Sequence, residues 1–196
     1  MLFSEMTDST VHDRGGKRER LVAAAGDLLH RQGVQATTLA QVAEAAVVPA
    51  GNVYYYFKTK DDLVRAVIES QADQVRALLG SLQTRRSPAT RLKALAHQWV
   101  EMRDLVARYG CPFGTLAAEL DRRDDGLDRA AAKPISLILD WAEGQFRQLG
   151  RRDARELAIN LFSGVQGGAL LANALRDPDV MTGQVRHLER WIDSLT

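Results

Sequence analysis

The sequence predicts an all-α protein of about nine helices. Helical periodicity recurs along the chain, and no segment shows a convincing strand pattern. Breaks between the periodic segments carry Gly, Pro or Asp, residues that end helices or favour turns. Three short helices are expected before residue 60, and the longer ones are predicted at 60–82, 88–108, 112–123, 134–149, 153–175 and 179–195.

Composition limits the class of protein. The chain has 196 residues, 45% of them apolar, and a formal charge of only +1. Residues 14–60 nevertheless carry seven Lys or Arg against three Asp or Glu, so the first part is positively charged. No apolar run reaches membrane-spanning length, and the first sixteen residues lack a signal-peptide core. We therefore expect a cytoplasmic protein with no membrane partner.

Residues 37–62 have the pattern of two short helices joined by a tight turn. Thr38 and Gln41 have the spacing of a capping box, which starts the first helix. Pro49 disfavours helical geometry at Val48 and suits the first turn of a second helix. This spacing predicts a helix-turn-helix.

The second helix has the chemistry of a DNA-reading element. Val53 and Phe57 are four residues apart and should point into a small core. The other side then presents two small residues and Asn52 for base edges, followed by three tyrosines and two lysines for phosphate oxygens. A surface helix whose tyrosines only cover apolar neighbours is the simpler alternative.

Residues 18–68 resemble the TetR family of bacterial transcriptional regulators. The resemblance rests on Gly33 at the end of the first helix, the Thr37-Thr38 pair, and the G-x-x-YY-x-F motif from Gly51 to Phe57. Two positions depart from the family pattern: Val47 stands where glycine is common, and Pro49 where a capping serine is common. A positive φ at Val47 would cost about 1–2 kcal/mol.

The resemblance implies a domain plan and a set of DNA contacts. A flexible arm at 1–16 would precede a helix-turn-helix domain at 17–63 and an effector-binding and dimerisation domain at 64–196. Arg14, Lys17 and Arg18 would reach DNA near the arm, unless the arm is simply a solvated tail. The residues expected at operator double-stranded DNA are Thr37, Thr38, Ala50, Gly51, Asn52, Tyr54, Tyr55, Tyr56, Lys58 and Lys60.

The last two predicted helices have broad apolar surfaces. In the family these helices form the homodimer, and small residues at helical spacing permit close helix contact. We therefore assign a dimer interface to Leu161, Gly164, Val165, Gly168, Ala172, Leu188, Trp191 and Ile192. The same pattern also fits a core within one chain.

The middle helices carry candidate residues for a small-molecule effector. The resemblance places a pocket among them, and we assign it to Trp99, Met102, Phe113, Trp141 and Gln166, although aromatic stripes of this kind more often form ordinary core. His97, Gln98, Gln145 and Asn160 are further polar candidates. An apolar or aromatic effector is expected.

Cys111, at the start of a predicted helix, suggests an alternative mechanism. A thiol at a helix N-terminus can be unusually reactive, which would suit a redox- or electrophile-sensing repressor, but Pro112 and Phe113 favour an inert, packed cysteine. The four histidines and Ser163 form no catalytic or metal-ligand spacing, and GVQGG at 164–168 lies inside a helical pattern.

The sequence thus predicts a homodimeric repressor that a small molecule releases from a pseudo-palindromic operator, with no enzyme activity, cofactor or metal. A small-molecule-binding protein or enzyme with a vestigial helix-turn-helix is the remaining alternative.

Overall fold

The computed structural model describes residues 16–196, so the predicted arm, including Arg14, lies outside the described residues except for Gly16. The described chain is all α-helical. Its helices are α1 (Lys17–Ala36), α2 (Leu39–Ala45), α3 (Ala50–Tyr56), α4 (Lys60–Leu82), α5 (Pro88–Glu101), α6 (Arg103–Tyr109), α7 (Pro112–Leu120), α8 (Leu127–Ala131), α9 (Lys133–Gln148), α10 (Ala154–Leu175) and α11 (Asp179–Asp193). No helix in residues 16–196 is long and apolar enough to cross a membrane.

The described chain has eleven helices rather than about nine, for two local reasons. Met102 leaves helical geometry (φ −108°, ψ 17°), so the helix predicted at 88–108 is divided into α5 and α6. Gly126 takes a left-handed conformation and precedes the short α8, which had no periodic signal of its own. The all-α fold class is confirmed.

Two separate clusters of buried apolar side chains form the core. The N-terminal cluster joins α1, α2, α3 and the first half of α4, where Leu63 to Ile68 contribute. The C-terminal cluster begins on α4 at Val75 and extends through α5, α9, α10 and α11. Leu116 and Leu120 of α7 belong to the N-terminal cluster, while Phe113 of the same helix belongs to the C-terminal one. Helices α4 and α7 therefore connect the two parts.

Local hydrogen bonds fix the start of the helix-turn-helix. The Gln41 amide donates to Thr38 Oγ1 (3.2 Å), and the Thr38 amide donates to Gln41 Oε1 (2.9 Å). This is the capping box that the sequence predicted. Pro49 lies one residue earlier than expected, at the N-cap position of α3, and its carbonyl accepts the Asn52 amide at 2.8 Å.

Val47 lies in the turn between α2 and α3, at the position where glycine is common in the family, and it has the positive φ expected there. Its φ is 51°, and its side chain is 82% exposed, so no packing offsets the strain. A β-branched residue in this region is a conformational outlier. The turn between α2 and α3 is therefore built with strained backbone.

We expect Val47→Gly to raise the free energy of unfolding by about 1 kcal/mol, because glycine adopts this φ without the steric cost. Urea denaturation would measure the change. Val48→Gly is the matched control: Val48 is buried, so that variant should be destabilised. A Val47→Gly protein less stable than the wild type would show that the turn stores no strain.

Candidate DNA-binding surface and its link to the C-terminal domain

Helix α3 has one buried face and one exposed face. Val53 and Phe57 are 1% and 2% exposed and anchor the helix in the N-terminal core. Ala50 and Gly51 are exposed at the helix start, and Asn52 beside them is partly exposed. The small residues leave this end of α3 accessible to base edges, where an asparagine amide can bond to adenine.

Gly51 has open space beside it at the start of α3. A Cβ built at this residue has no heavy atom within 4 Å, so the protein itself does not require glycine here. Space that the fold leaves empty on an exposed recognition helix is available to a DNA backbone or base.

The tyrosines lie toward the other end of α3, and Lys58 follows the helix. Tyr54 and Tyr55 are more than half exposed, and the Tyr55 and Tyr56 rings meet edge to face at 5.0 Å. Lys58 Nζ donates to the Tyr54 carbonyl at 3.0 Å, and Thr38 is exposed at the start of α2. These side chains lie where hydroxyl and ammonium groups can reach phosphates on either side of a groove.

Two expected DNA contacts have other partners in the structure. Thr37 is only 2% exposed, and its hydroxyl donates to the Gly33 carbonyl at 2.7 Å. Lys60 Nζ donates to the carbonyls of Val34 (2.8 Å) and Thr37 (3.1 Å). In this conformation both side chains bond to the end of α1, so their polar groups already have partners within the protein.

Glu119 of α7 also bonds to the end of α1. Its Oε2 accepts the Val34 amide at 2.8 Å and its Oε1 accepts the Gln35 amide at 3.0 Å. Gly33 breaks α1 with a φ of 81°, and a Cβ there would lie 3.0 Å from Glu119 Oε2. The glycine therefore frees two backbone donors and leaves room for the carboxylate that binds them.

A second contact lies at the other end of α7. His30 Nε2 lies 2.8 Å from the Gly110 carbonyl, and its ring meets Tyr109 edge to face at 5.8 Å. Burial lowers the pKa of His30 more than the bond to Gly110 raises it, and the charge of Arg31 lowers it further. The ring is then neutral near pH 7 and donates one hydrogen bond across the domain boundary.

Ion pairs complete the connection between the two parts. Arg123 binds Asp61 at the start of α4 through both guanidinium nitrogens, at 2.5 Å and 3.0 Å, and also pairs with Asp125. These bonds raise the pKa of Arg123. Lys133 pairs with Glu69 of α4 at 2.6 Å. The start of α4, which follows the recognition helix, is thus fixed to the chain that follows α7.

No sequence pattern indicates these contacts. Glu119 and Val34 are 85 residues apart, and His30 and Gly110 are 80 apart. Gly33 and the segment around Cys111 are each recognisable in the sequence. Only the fold, however, brings the end of α1 next to α7.

Both parts of the chain match models of one protein family. Residues 21–67 match the family described as bacterial regulatory proteins, tetR family, and residues 88–188 match the tetracyclin repressor-like C-terminal domain. The chain belongs to the TetR family. The resemblance first drawn from residues 18–68 is confirmed and extends over most of the protein.

Individual relatives support this membership. The chain is 26% identical over 200 residues to the HTH-type transcriptional regulator TtgR of Pseudomonas putida, covering 96% of this chain and 94% of that protein. It is 26% identical over 172 residues to LmrA of Bacillus subtilis, covering 81% of this chain and 87% of that regulator. A TetR transcriptional regulator from Legionella pneumophila has the same fold, with a TM-score of 0.80 at 23% identity, over 91% of this chain and 98% of that one.

The effector residues assigned from the sequence lie in or beside the C-terminal core of this TetR-family chain. Trp99, Met102 and Phe113 are buried in one cluster, and Trp141 is partly exposed at its edge. The Trp99 ring packs edge to face on Phe162 at 5.7 Å. His97 and Asn160 are exposed and therefore do not face the interior, whereas Gln98 and Gln145 are buried. No group of three or more potential metal ligands occurs within residues 16–196.

Cys111 is a packed residue in this structure. It is 4% exposed, and its Sγ accepts a hydrogen bond from Gln166 Nε2 at 3.3 Å. Gln166, assigned to the effector, thus contacts the cysteine. A thiol with so little exposed surface is not accessible to an electrophile without local opening, so the packed interpretation is favoured over a covalent sensor.

The predicted dimer residues instead pack within one chain. Leu161, Val165, Ala172, Leu188 and Ile192 are at most 5% exposed, Gly168 is buried, and Gly164 and Trp191 are partly buried. A Cβ at Gly164 would lie 2.9 Å from Leu188 Cδ2, and one at Gly168 would lie 2.9 Å from Gln184 Cγ. The glycines do permit close helix packing, but the helices are α10 and α11 of the same chain. The fully buried residues of the set are not available to a second chain.

The opposite face of α10 is apolar and exposed. Ile159, Leu170, Leu171 and Leu175 are 46–69% exposed, and Ser163, Gly167 and Ala174 lie on the same side. We call this set the outer stripe of α10. It offers an apolar surface with small residues at its centre, as helix pairing between chains requires.

Gly51→Ala should separate DNA contact from folding. We expect an unchanged or slightly higher free energy of unfolding, by up to about 1 kcal/mol, because alanine favours a helix and its Cβ meets no atom of the protein. DNA affinity should fall roughly tenfold or more if DNA approaches this residue closely.

Gly80→Ala is the matched control, since Gly80 is an exposed glycine of α4 with equally open space at its Cβ. It should retain full DNA affinity. Equal affinity of wild type and Gly51→Ala in a fluorescence anisotropy titration would remove the start of α3 from the DNA interface.

Proposed function

We propose that the protein is a homodimeric repressor that binds a pseudo-palindromic operator and is released from it by a small-molecule effector. The observation that supports this best is the exposed start of α3. Ala50, Gly51 and Asn52 lie there on a helix that buried Val53 and Phe57 anchor, and exposed tyrosines and Lys58 follow them along the chain. DNA bases and phosphates match these exposed small, amide, hydroxyl and ammonium groups. We expect the protein to act in the cytoplasm and to need no cofactor.

The dimer would form through the outer stripe of α10 together with the exposed side of α11. Large exposed apolar patches on soluble proteins mark interaction sites, and a stripe along one helix can pair with its own copy about a two-fold axis. Two copies would then present two α3 helices to successive major grooves, with half-sites about one helical turn or a multiple apart.

Effector release follows from how the DNA-binding helices are held. The segment at Val34 and Gln35 is bonded to Glu119, and α4 is bonded to Arg123, so a displacement of α7 changes the position of α3. A shift of a few ångströms prevents both helices of a dimer from contacting their grooves together. The affinity for the operator then falls because the two DNA-binding domains of the dimer no longer bind as one unit. Ligand and operator oppose each other by linkage.

The proposal is tested by selecting bound sequences from random double-stranded DNA. We expect a pseudo-palindromic consensus and a binding constant that falls steeply with salt, since phosphate contacts release counterions. A small-molecule carrier with a vestigial helix-turn-helix would enrich no consensus. That result would contradict the proposed function.

Leu170→Glu is the informative variant in the same experiment. A carboxylate in the outer stripe of α10 should give monomers in sedimentation, leave the helical content unchanged, and weaken operator binding at least about 100-fold. Ala77→Glu, at an exposed residue of α4, is the control and should remain dimeric. A dimeric Leu170→Glu protein would place the interface elsewhere.

A further inference from the structure

Positively charged side chains gather where the end of α1 meets residues 107–110. His30 Nε2 lies 2.8 Å from the Gly110 carbonyl, and the His30 ring contacts Tyr109 edge to face at 5.8 Å. The guanidinium carbons of Arg31, on α1, and Arg108, on α6, lie 5.9 Å and 5.2 Å from the centre of the Tyr109 ring. We call these five residues the His30 cluster.

A third guanidinium group reaches the same segment from the end of α10. Arg176, the C-cap residue of α10, donates to the carbonyls of Ala107 (3.4 Å) and Arg108. Arg31, Arg108 and Arg176 are all exposed, so water can solvate their charges, whereas His30 is partly buried. A proton on His30 therefore adds a positive charge to the less hydrated ring of a site that already holds three cations.

No carboxylate of the described chain offsets that added charge. Burial, the Gly110 carbonyl and Arg31 are what shift the pKa of His30, and Asp27, one turn earlier on α1, is not among these causes. Charged groups on the helices packed against α1 have other partners or face solvent: Asp61 bonds to Arg123, Asp62 to the Thr59 amide, Arg65 to the Asp125 carbonyl, Glu69 to Lys133, Glu119 to the Val34 and Gln35 amides, and Glu44 is exposed.

Protonation of His30 consequently opposes the contact between α1 and residues 107–110. Burial lowers the pKa of His30 in the closed contact, and Arg31 lowers it further. When α1 separates from these residues, water hydrates the ring and its pKa returns toward the ordinary value of about 6.5. Because the pKa is lower in the closed state than in the open state, the contribution of His30 to closure is fully present above about pH 6.5. It is lost as the pH falls below that value.

We propose that the His30 cluster is a proton-sensitive contact that holds the DNA-binding helices on the C-terminal domain at neutral pH and releases them when His30 takes up a proton. The cluster acts on the same end of α1 as Glu119, so its release loosens the helices that Glu119 positions. The signal is a proton rather than the small-molecule effector. The expected effect on operator binding rests on the proposed function, whereas the effect on the contact itself does not.

The size of the effect has an upper limit. If only the open state binds the proton, the closed state loses population by the factor by which protonation favours the open state. At pH 5.5, with an open-state pKa of about 6.5, this factor is roughly tenfold. A several-fold change between pH 7.5 and pH 5.5 is therefore expected.

Amide hydrogen exchange measures the contact without DNA. The reporters are the Val34 and Gln35 amides, which bond to Glu119 at the end of α1. Their protection factors, corrected for the pH dependence of intrinsic exchange, should fall several-fold in the wild type from pH 7.5 to pH 5.5. His30→Gln keeps an N–H donor at about the reach of Nε2 but does not titrate, so its protection should stay nearly constant. An equal fall in both proteins would overturn the proposal.

Two further variants separate the cause from other effects of acid. His187→Gln is the matched control, because His187 is an exposed histidine of α11, and this variant should show the full wild-type fall. Arg31→Gln should raise the pKa of His30, measured from its ring resonances, and reduce the fall in protection. This variant also keeps the test decisive if His30→Gln does not fold. A wild-type His30 that titrates at or above about pH 6.5 would contradict the proposal.

Operator affinity is measured on the same samples at both pH values. The affinity of the wild type, divided by that of His30→Gln, should fall several-fold from pH 7.5 to pH 5.5. A protein that binds its selected operator but shows no pH-dependent protection overturns the proton-sensitive contact alone. A protein that shows the expected protection but enriches no DNA consensus overturns the repressor function alone.

Discussion

The carboxylate of Glu119 bonds to two backbone N–H groups that Gly33 frees from α1, and the arrangement of the DNA-binding helices depends on this contact. Each hydrogen bond to a charged group contributes about 1.5–3 kcal/mol. Lys60 binds the neighbouring carbonyls, so the end of α1 that follows Gly33 is held by both a carboxylate and an ammonium. Because α2 begins directly after this segment, its direction, and that of α3, follows from these bonds.

The same helix that carries Glu119 also carries the rest of the connection between the two cores. Phe113 packs in the C-terminal core, Leu116 and Leu120 pack in the N-terminal one, and Gly110, just before α7, bonds to His30. A helix that is part of both cores cannot move in one without a change in the other, since packed interiors are not continuously deformable.

Features that depend on a few adjacent residues were predictable from the sequence. The Thr38–Gln41 capping box and the positive φ of Val47 are local, and both are present in the structure. The break at Met102 carries neither Gly nor Pro and gave no signal. Helix α10 is apolar on two faces, and periodicity alone cannot tell which face meets α11: the face with Val165 is buried within the chain, while the face with Leu170 is exposed. The family resemblance places Thr37 at operator DNA, and residue type places Lys60 at phosphate, but carbonyls of the protein already accept from both side chains.

The most direct test of this account is the tolerance of operator spacing in wild type and Glu119→Gln. The affinity for the selected operator is divided by the affinity for the same operator with one base pair inserted between its half-sites. An amide keeps the shape of Glu119 but loses its charge and replaces one acceptor oxygen with a donor group, so it cannot hold both N–H groups. We expect a large ratio for the wild type and a ratio several-fold smaller for Glu119→Gln, because loosely held DNA-binding domains adapt to altered half-site spacing. The same ratio in both proteins would show that Glu119 does not set the position of the DNA-binding helices.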